Sequence, residues 1–112
     1  MSGEINLSRR LILEEPVRSD DGMGGVSVGW NAIAEIWADI RARTGREGYE
    51  GNRRLPLTAL RIIVRGAPMG DVLRPKSGQR FIEGSRVFSI IAVSERDAGG
   101  RFLDCWAEEV NA

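Results

Sequence analysis

From Val26 to Arg43 the chain reads VSVGWNAIAEIWADIRAR, and every second side chain in that stretch is apolar. Val26, Val28, Trp30, Ala32, Ala34, Ile36, Ala38, Ile40 and Ala42 alternate with Ser27, Gly29, Asn31, Ile33, Glu35, Trp37, Asp39, Arg41 and Arg43. Successive side chains of a strand point to opposite faces, so nine apolar positions in step predict one long strand with one buried face. A helix competes, because Ile33, Ile36, Trp37 and Ile40 fall at i, i+3, i+4 and i+7 and alanine favours helix. That set covers part of the span, whereas the two-residue period covers all of it.

Working outward from this strand, Leu11, Ile12 and Leu13 form a short apolar run closed by Pro16, which suits a first strand. Between the two, Ser19-Asp20-Asp21-Gly22 and Gly24-Gly25 mark a turn, since Asp side chains bond local backbone and Gly accepts positive φ. Downstream, residues 44–56 read TGREGYEGNRRLP, with no apolar period and three glycines. This segment is expected to be a long loop between the second and third strands, flexible until it docks. Leu60, Ile62 and Val64 predict the third strand, and Arg80-Phe81-Ile82 a short one. A connection at Glu83-Gly84-Ser85 leads to a buried strand over 87–93, VFSIIAV. After the Asp97–Gly100 turn, Phe102–Ala107 is the last, with Leu103, Cys105 and Ala107 on one face and Phe102, Asp104 and Trp106 on the other. Five to six mostly antiparallel strands joined by Gly-rich turns describe an all-β fold, a small barrel or sandwich. A chain of 112 residues is one domain's length, so residues 1–112 are read as a single domain with one modest core.

The composition removes most chemistry. There is no His and one Cys, Cys105, which excludes disulfide frameworks, the usual Cys/His zinc sites and every imidazole mechanism. Cys105 lies mid-strand among apolar neighbours and reads as a small buried hydrophobe. The pairs Glu14-Glu15, Asp20-Asp21 and Glu108-Glu109 lack calcium-loop spacing and read as solvated surface. No phosphate-cradling glycine motif is present. No enzyme, no metal and no cofactor are therefore expected. Met1–Leu7 has no basic segment leading into an apolar run, and no stretch approaches the roughly 18 apolar residues of a membrane span. A soluble protein made in the cytoplasm, without a membrane partner, is expected.

Charge is balanced overall at 16 basic against 16 acidic residues, but it is segregated. Residues 1–40 carry three basic and seven acidic side chains, whereas residues 41–65 carry seven Arg against Glu47 and Glu50. Arg offers a planar fork suited to phosphate and carboxylate, so Arg43, Arg46, Glu47, Arg53 and Arg54 are candidates for contact with DNA or a neighbouring subunit. Trp37, on the otherwise polar face of the long strand, is a candidate interface anchor or the floor of a second packed layer. Arg41, Arg61 and Arg65 flank it as candidate interface residues. A free-standing nucleic-acid-binding small barrel is the competing class, and it expects basic and aromatic residues interleaved on one face.

The order of features gives more than any one of them: Trp30, then Ile36-Trp37-Ala38-Asp39-Ile40, Thr44-Gly45-Arg46-Glu47, Ile62-Ile63-Val64-Arg65, Leu73-Arg74, Phe88-Ser89-Ile90-Ile91-Ala92-Val93 and Arg101-Phe102-Leu103. This resembles the head-tail joining family of tailed phages, also called head-closure or stopper proteins, from Leu11 to Glu109. The resemblance implies a small β-barrel assembled with copies of itself as a hexameric or dodecameric ring. It implies a portal-bound adaptor on one side, a tail terminator or tail tube protein on the other, and packaged double-stranded DNA in the channel. It places the protein at the head–tail junction of a phage, prophage or gene-transfer particle, with the 44–56 segment facing the channel. A tail terminator or completion protein of the same junction is the neighbouring alternative.

Overall fold

The computed structural model describes residues 4–50 and 53–110, the stretches 44–50 and 53–56 through their backbone. Six strands form, β1 (Arg9–Asp20), β2 (Val26–Glu50), β3 (Arg53–Arg65), β4 (Arg80–Glu83), β5 (Arg86–Glu95) and β6 (Phe102–Val110). They run in the order β1-β2-β3-β6-β5-β4, every pair antiparallel, and β4 returns to β1 through Ile12 opposite Ile82 and Leu13 opposite Phe81. The all-β barrel expectation holds, and the 26–43 stretch is strand and not helix.

Inside the barrel, Leu11, Leu13, Ile36, Ala38, Leu60, Ile62, Val64, Phe81, Phe88, Leu103 and Cys105 make one cluster, with Ile33, Ala34, Ile40 and Val93 packed against it. Each comes from the inward alternation of its strand. Full burial of side chains of this size is worth roughly 1.5–3 kcal/mol each, which makes this cluster the main source of stability. Gly84, at φ +62°, supplies the left-handed position with which the tight β4–β5 connection begins.

The single buried face expected for 26–42 is corrected by a bulge. Leu13 pairs with Ala34 but Glu14 pairs with Ala32, so Ile33 is an extra residue in β2. An extra residue interrupts the alternation of the strand that carries it. Ile33 and Ala34 both turn to the core, and beyond them the parity reverses. Unbulged β1 shows which side is which: Leu11 and Leu13 are inside, so Glu14, Pro16, Arg18 and Asp20 are outside, and they pair with Ala32, Trp30, Val28 and Val26. The first apolar half of the stretch thus lies on the outer surface, exposed. A second bulge, at Ile91 in β5, splits the run expected to be buried: Phe88 and Ile90 are inside, while Val87 and Ile91 are exposed.

The long loop expected over 44–56 is corrected as well. After a bulge at Arg43, Thr44–Glu50 pairs with Arg53–Ala59 out to Glu50 opposite Arg53. β6 accompanies β3 from Leu57 onward, so among the described residues Arg53–Pro56 has β2 alone as partner and the pair continues past the barrel as a two-stranded arm. Outside the barrel neither face must cover a core, so a strand there shows no apolar period and reads in sequence as a loop. A similar arm leaves the opposite end of β2, where Glu15–Asp20 pairs with Val26–Asn31 beyond the reach of β4. Its turn is held by the Asp21 carboxylate, which accepts from the Met23 and Gly25 N–H groups at 2.8 and 2.9 Å.

Candidate assembly interface

The outer surface of the barrel, not its interior, carries the polar chemistry. On β3 the outward residues are Arg61, Ile63 and Arg65, and the register sets Arg61 between Arg41 of β2 and Trp106 of β6. Arg61 lies over the Trp106 indole, its guanidinium carbon 5.5 Å from the ring centre, and Arg43 lies over the same ring at 4.7 Å. Two cations thus share one indole, an arrangement worth about 0.5–1 kcal/mol per contact at exposed sites. The Arg61 Nε atom is buried and has no hydrogen-bond partner. Trp106 is fixed from below by Nε1, which donates to Ser94 Oγ at 3.2 Å. Ile91, half exposed because of its bulge, closes one side of a small cleft formed with Arg43, Ala59, Trp106, Ala107 and Glu108.

Arg41 is engaged differently. Its Nη2 donates to the Glu4 carbonyl at 2.7 Å and to Asp39 Oδ2 at 3.1 Å, and the Asn6 N–H donates to the same carboxylate. Burial raises the Asp39 pKa, but the Asn6 and Arg41 hydrogen bonds outweigh it and hold the carboxyl below its ordinary value. Arg41 therefore ties the N-terminal segment to the barrel.

Trp37 is half exposed. With Leu7, Ile36, Arg65, Gly66, Ala67 and Leu73 it lines an open cleft of about 400 Å³. Half exposure makes it the floor of a partly covered layer and leaves its outer edge available. Trp37 and Arg65 are together here; Arg43 and Arg61 are together on Trp106, and the two groups are distinct. Arg46, Glu47, Arg53 and Arg54 sit on the β2–β3 arm, with Arg46 opposite Leu57 and Arg54 opposite Tyr49, and their side chains lie outside the described residues.

Sequence reasoning did not select Trp106, Ile91 or the outward trio Val26, Val28 and Trp30. Trp106 had a signal, as an indole on the polar face of its strand beside Asp104. The other four depended on bulges that alternation does not reveal. Among the acidic pairs read as solvated, Glu14 accepts from Arg80 at 2.8 Å and Glu109 from Arg86 at 2.9 Å, so both are structural partners. Among the described residues no three acidic or sulfur side chains could hold a metal ion.

The chain was compared with known proteins. No curated protein matches it. The family model described as phage head completion protein matches residues 4–110. Among solved structures, a chain of the virion of a native gene transfer agent particle is 43% identical, superposes with a TM-score of 0.83 and is covered over 98% of both chains. The expected kinship with proteins of the head–tail junction is thereby met, and with nearly every described residue inside the match the chain belongs to the phage head completion protein family.

Proposed function

We propose that this chain is the stopper, or head-closure, subunit of a tailed phage, prophage or gene-transfer particle. In this reading copies of the single-domain chain form a hexameric or dodecameric ring at the head–tail junction. The ring joins the portal-bound adaptor to a tail terminator or tail tube protein and helps to retain packaged double-stranded DNA.

The observation that carries the reading is the β2–β3 arm. It continues a barrel strand past the last residue of β3 that pairs with β6 and concentrates Arg46, Arg53 and Arg54, with Arg43 at its root. A monomer gains little from such an arm. In a ring, symmetry repeats it around one opening, and the summed positive charge faces whatever fills that opening. Contacts of Arg with phosphate fix position without reading bases, which suits a protein that must hold any packaged sequence.

The test replaces Gly45–Arg54 with a short Gly-Ser linker and follows particles by electron microscopy and DNA content. Joined particles that leak DNA are the expected result. Heads and tails left apart would make the arm a docking surface in place of a DNA-retaining one. Normal, full particles would overturn the stopper role.

A further inference from the structure

The β1–β2 arm exposes an apolar stripe, covered among the described residues only where Arg80 lies over Trp30. Val26, Val28 and Trp30 are 61%, 54% and 39% exposed, with Pro16 beside them on the same outer face. Isolated exposed apolar residues are ordinary, but a row of three in register along a protruding ribbon is a contact surface. The stripe is held in place. Arg80 stacks over the Trp30 ring at 3.9 Å while its Nε donates to Glu14, and the Asp21 turn fixes the tip. Along β2 from Val26 to Trp37, β1 is the sole paired neighbour among the described residues, so the strand edge is open as well. The tip and its flank are acidic, with Glu15, Asp20 and Asp21 against Arg18.

A matching surface lies elsewhere on the barrel, with Ile91 on β5, Trp106 on β6, Arg61 on β3 and Arg43 on β2, far along that strand from the stripe. The outer face there offers the complementary chemistry: exposed Ile91 and the Trp106 indole as apolar floor, with Arg43 and Arg61 stacked over that indole. The apolar stripe with its acidic tip meets an apolar floor whose two Arg outnumber the one acid of the cleft, Glu108, so the surfaces match in apolar character and in net charge.

We infer that the β1–β2 arm docks onto the Ile91–Trp106–Arg43 face of a second copy of this chain, with Val26, Val28 and Trp30 against Ile91 and Trp106 and the acidic tip toward Arg43 and Arg61. Because donor and acceptor patches differ, the contact is head to tail, the kind that closes rings when the rotation allows. The inference rests on the ring proposed above and assigns its subunit contact to named residues.

The test uses Val28→Cys and Ile91→Cys, both at exposed positions, singly and combined. The native Cys105 is fully buried and does not interfere. Purified particles, and separately the concentrated purified protein, are treated with a short bismaleimide and resolved by denaturing electrophoresis. The double variant is expected to give a ladder at multiples of the chain mass, and each single variant none. Three outcomes overturn the inference: no ladder in either sample; adducts of Val28→Cys with a different virion protein; or dimers from Val28→Cys alone, which would mean a two-fold contact. The head completion reading fails separately, if immunoblots find the chain absent from wild-type particles.

Discussion

Gly66 and Gly100 are in backbone contact: a Cβ placed on Gly66 would lie 1.9 Å from the Gly100 carbonyl oxygen, and the Gly66 N–H donates to the neighbouring Arg101 carbonyl at 2.7 Å. The end of β3 is thereby fastened to the turn that begins β6, and the atom that would clash is backbone with little room to give. Gly66→Ala should destabilise by about 1–3 kcal/mol, the usual range for forcing carbon into a packed site. Gly29 is the control. It lies in an exposed strand with nothing within 4 Å of its added Cβ, so Gly29→Ala should change stability by less than about 0.5 kcal/mol. Urea unfolding of both variants checks the pair, and equal losses would refute the close-approach account.

Phe81 and Phe88 face each other across β4 and β5, and both are fully buried. They are the largest side chains in the cluster, and β4, only four residues long, is the strand that closes the barrel onto β1. Phe81→Ala should cost about 3–5 kcal/mol, the range for removing a buried phenyl ring from a core. The expected reading is a large drop in the denaturation midpoint. A loss below 1 kcal/mol would mean that the β1–β4 seam contributes little.

How far the sequence disclosed this fold follows from where alternation meets a core. Leu60, Ile62 and Val64 alternate with Arg61, Ile63 and Arg65, and Leu103 and Cys105 with Phe102, Asp104 and Trp106, and each of these two shared faces landed inside. Val26, Val28 and Trp30 alternate just as well, but one inserted residue, Ile33, sends them outside. A bulge has no signature of its own in a period-two pattern, so the face of a strand past it is not legible. The 44–56 segment failed for the converse reason, being paired strand without a core to impose a period. At the candidate interface, Arg43, Arg61, Arg65 and Trp37 were legible as charge and aromatic excess. Their division into two groups was not, because it depends on which strand lies beside which. Arg41 looked like its neighbours in sequence and differs through Glu4 and Asp39, brought to it by folding.

Two forked ion pairs make a prediction about acid. Glu83 accepts from Arg9 Nε at 2.7 Å, and Glu109 from Arg86 at 2.9 Å through both nitrogens. The Arg9 hydrogen bond holds Glu83 below its ordinary 4.5, and the Arg86 hydrogen bond does the same for Glu109. A carboxyl with a lowered folded-state pKa stabilises the fold above its unfolded value and loses that contribution as pH falls through the folded value. The pairs are partly solvated, so each is worth about 0–1 kcal/mol at neutral pH. Thermal unfolding of Glu83→Gln with Glu109→Gln should therefore lie below wild type at pH 7, and the two curves should converge as the pH drops below about 4.5. A gap that stays constant into strong acid would show that the pairs act through packing and not through charge.

Cys105 supports a sharper test of core integrity. Its side chain is fully inside the barrel, and burial, with Asp104 beside it, pushes the thiol up to about 12. The thiolate is the reactive form, so at neutral pH the folded protein offers almost none of it, and no path for a reagent. Labelling by a disulfide-exchange reagent should be slow in native buffer, should speed up with urea along the unfolding transition, and should rise with pH between about 7 and 9, because the thiol reacts from the opened state, where it titrates as an exposed one. Phe81→Ala should accelerate native labelling by the factor that its measured stability loss predicts, tenfold for every 1.4 kcal/mol, if exchange requires global opening. Fast labelling of the wild type in native buffer would mean that the β3–β6 seam, where Cys105 sits opposite Ile62, opens on its own.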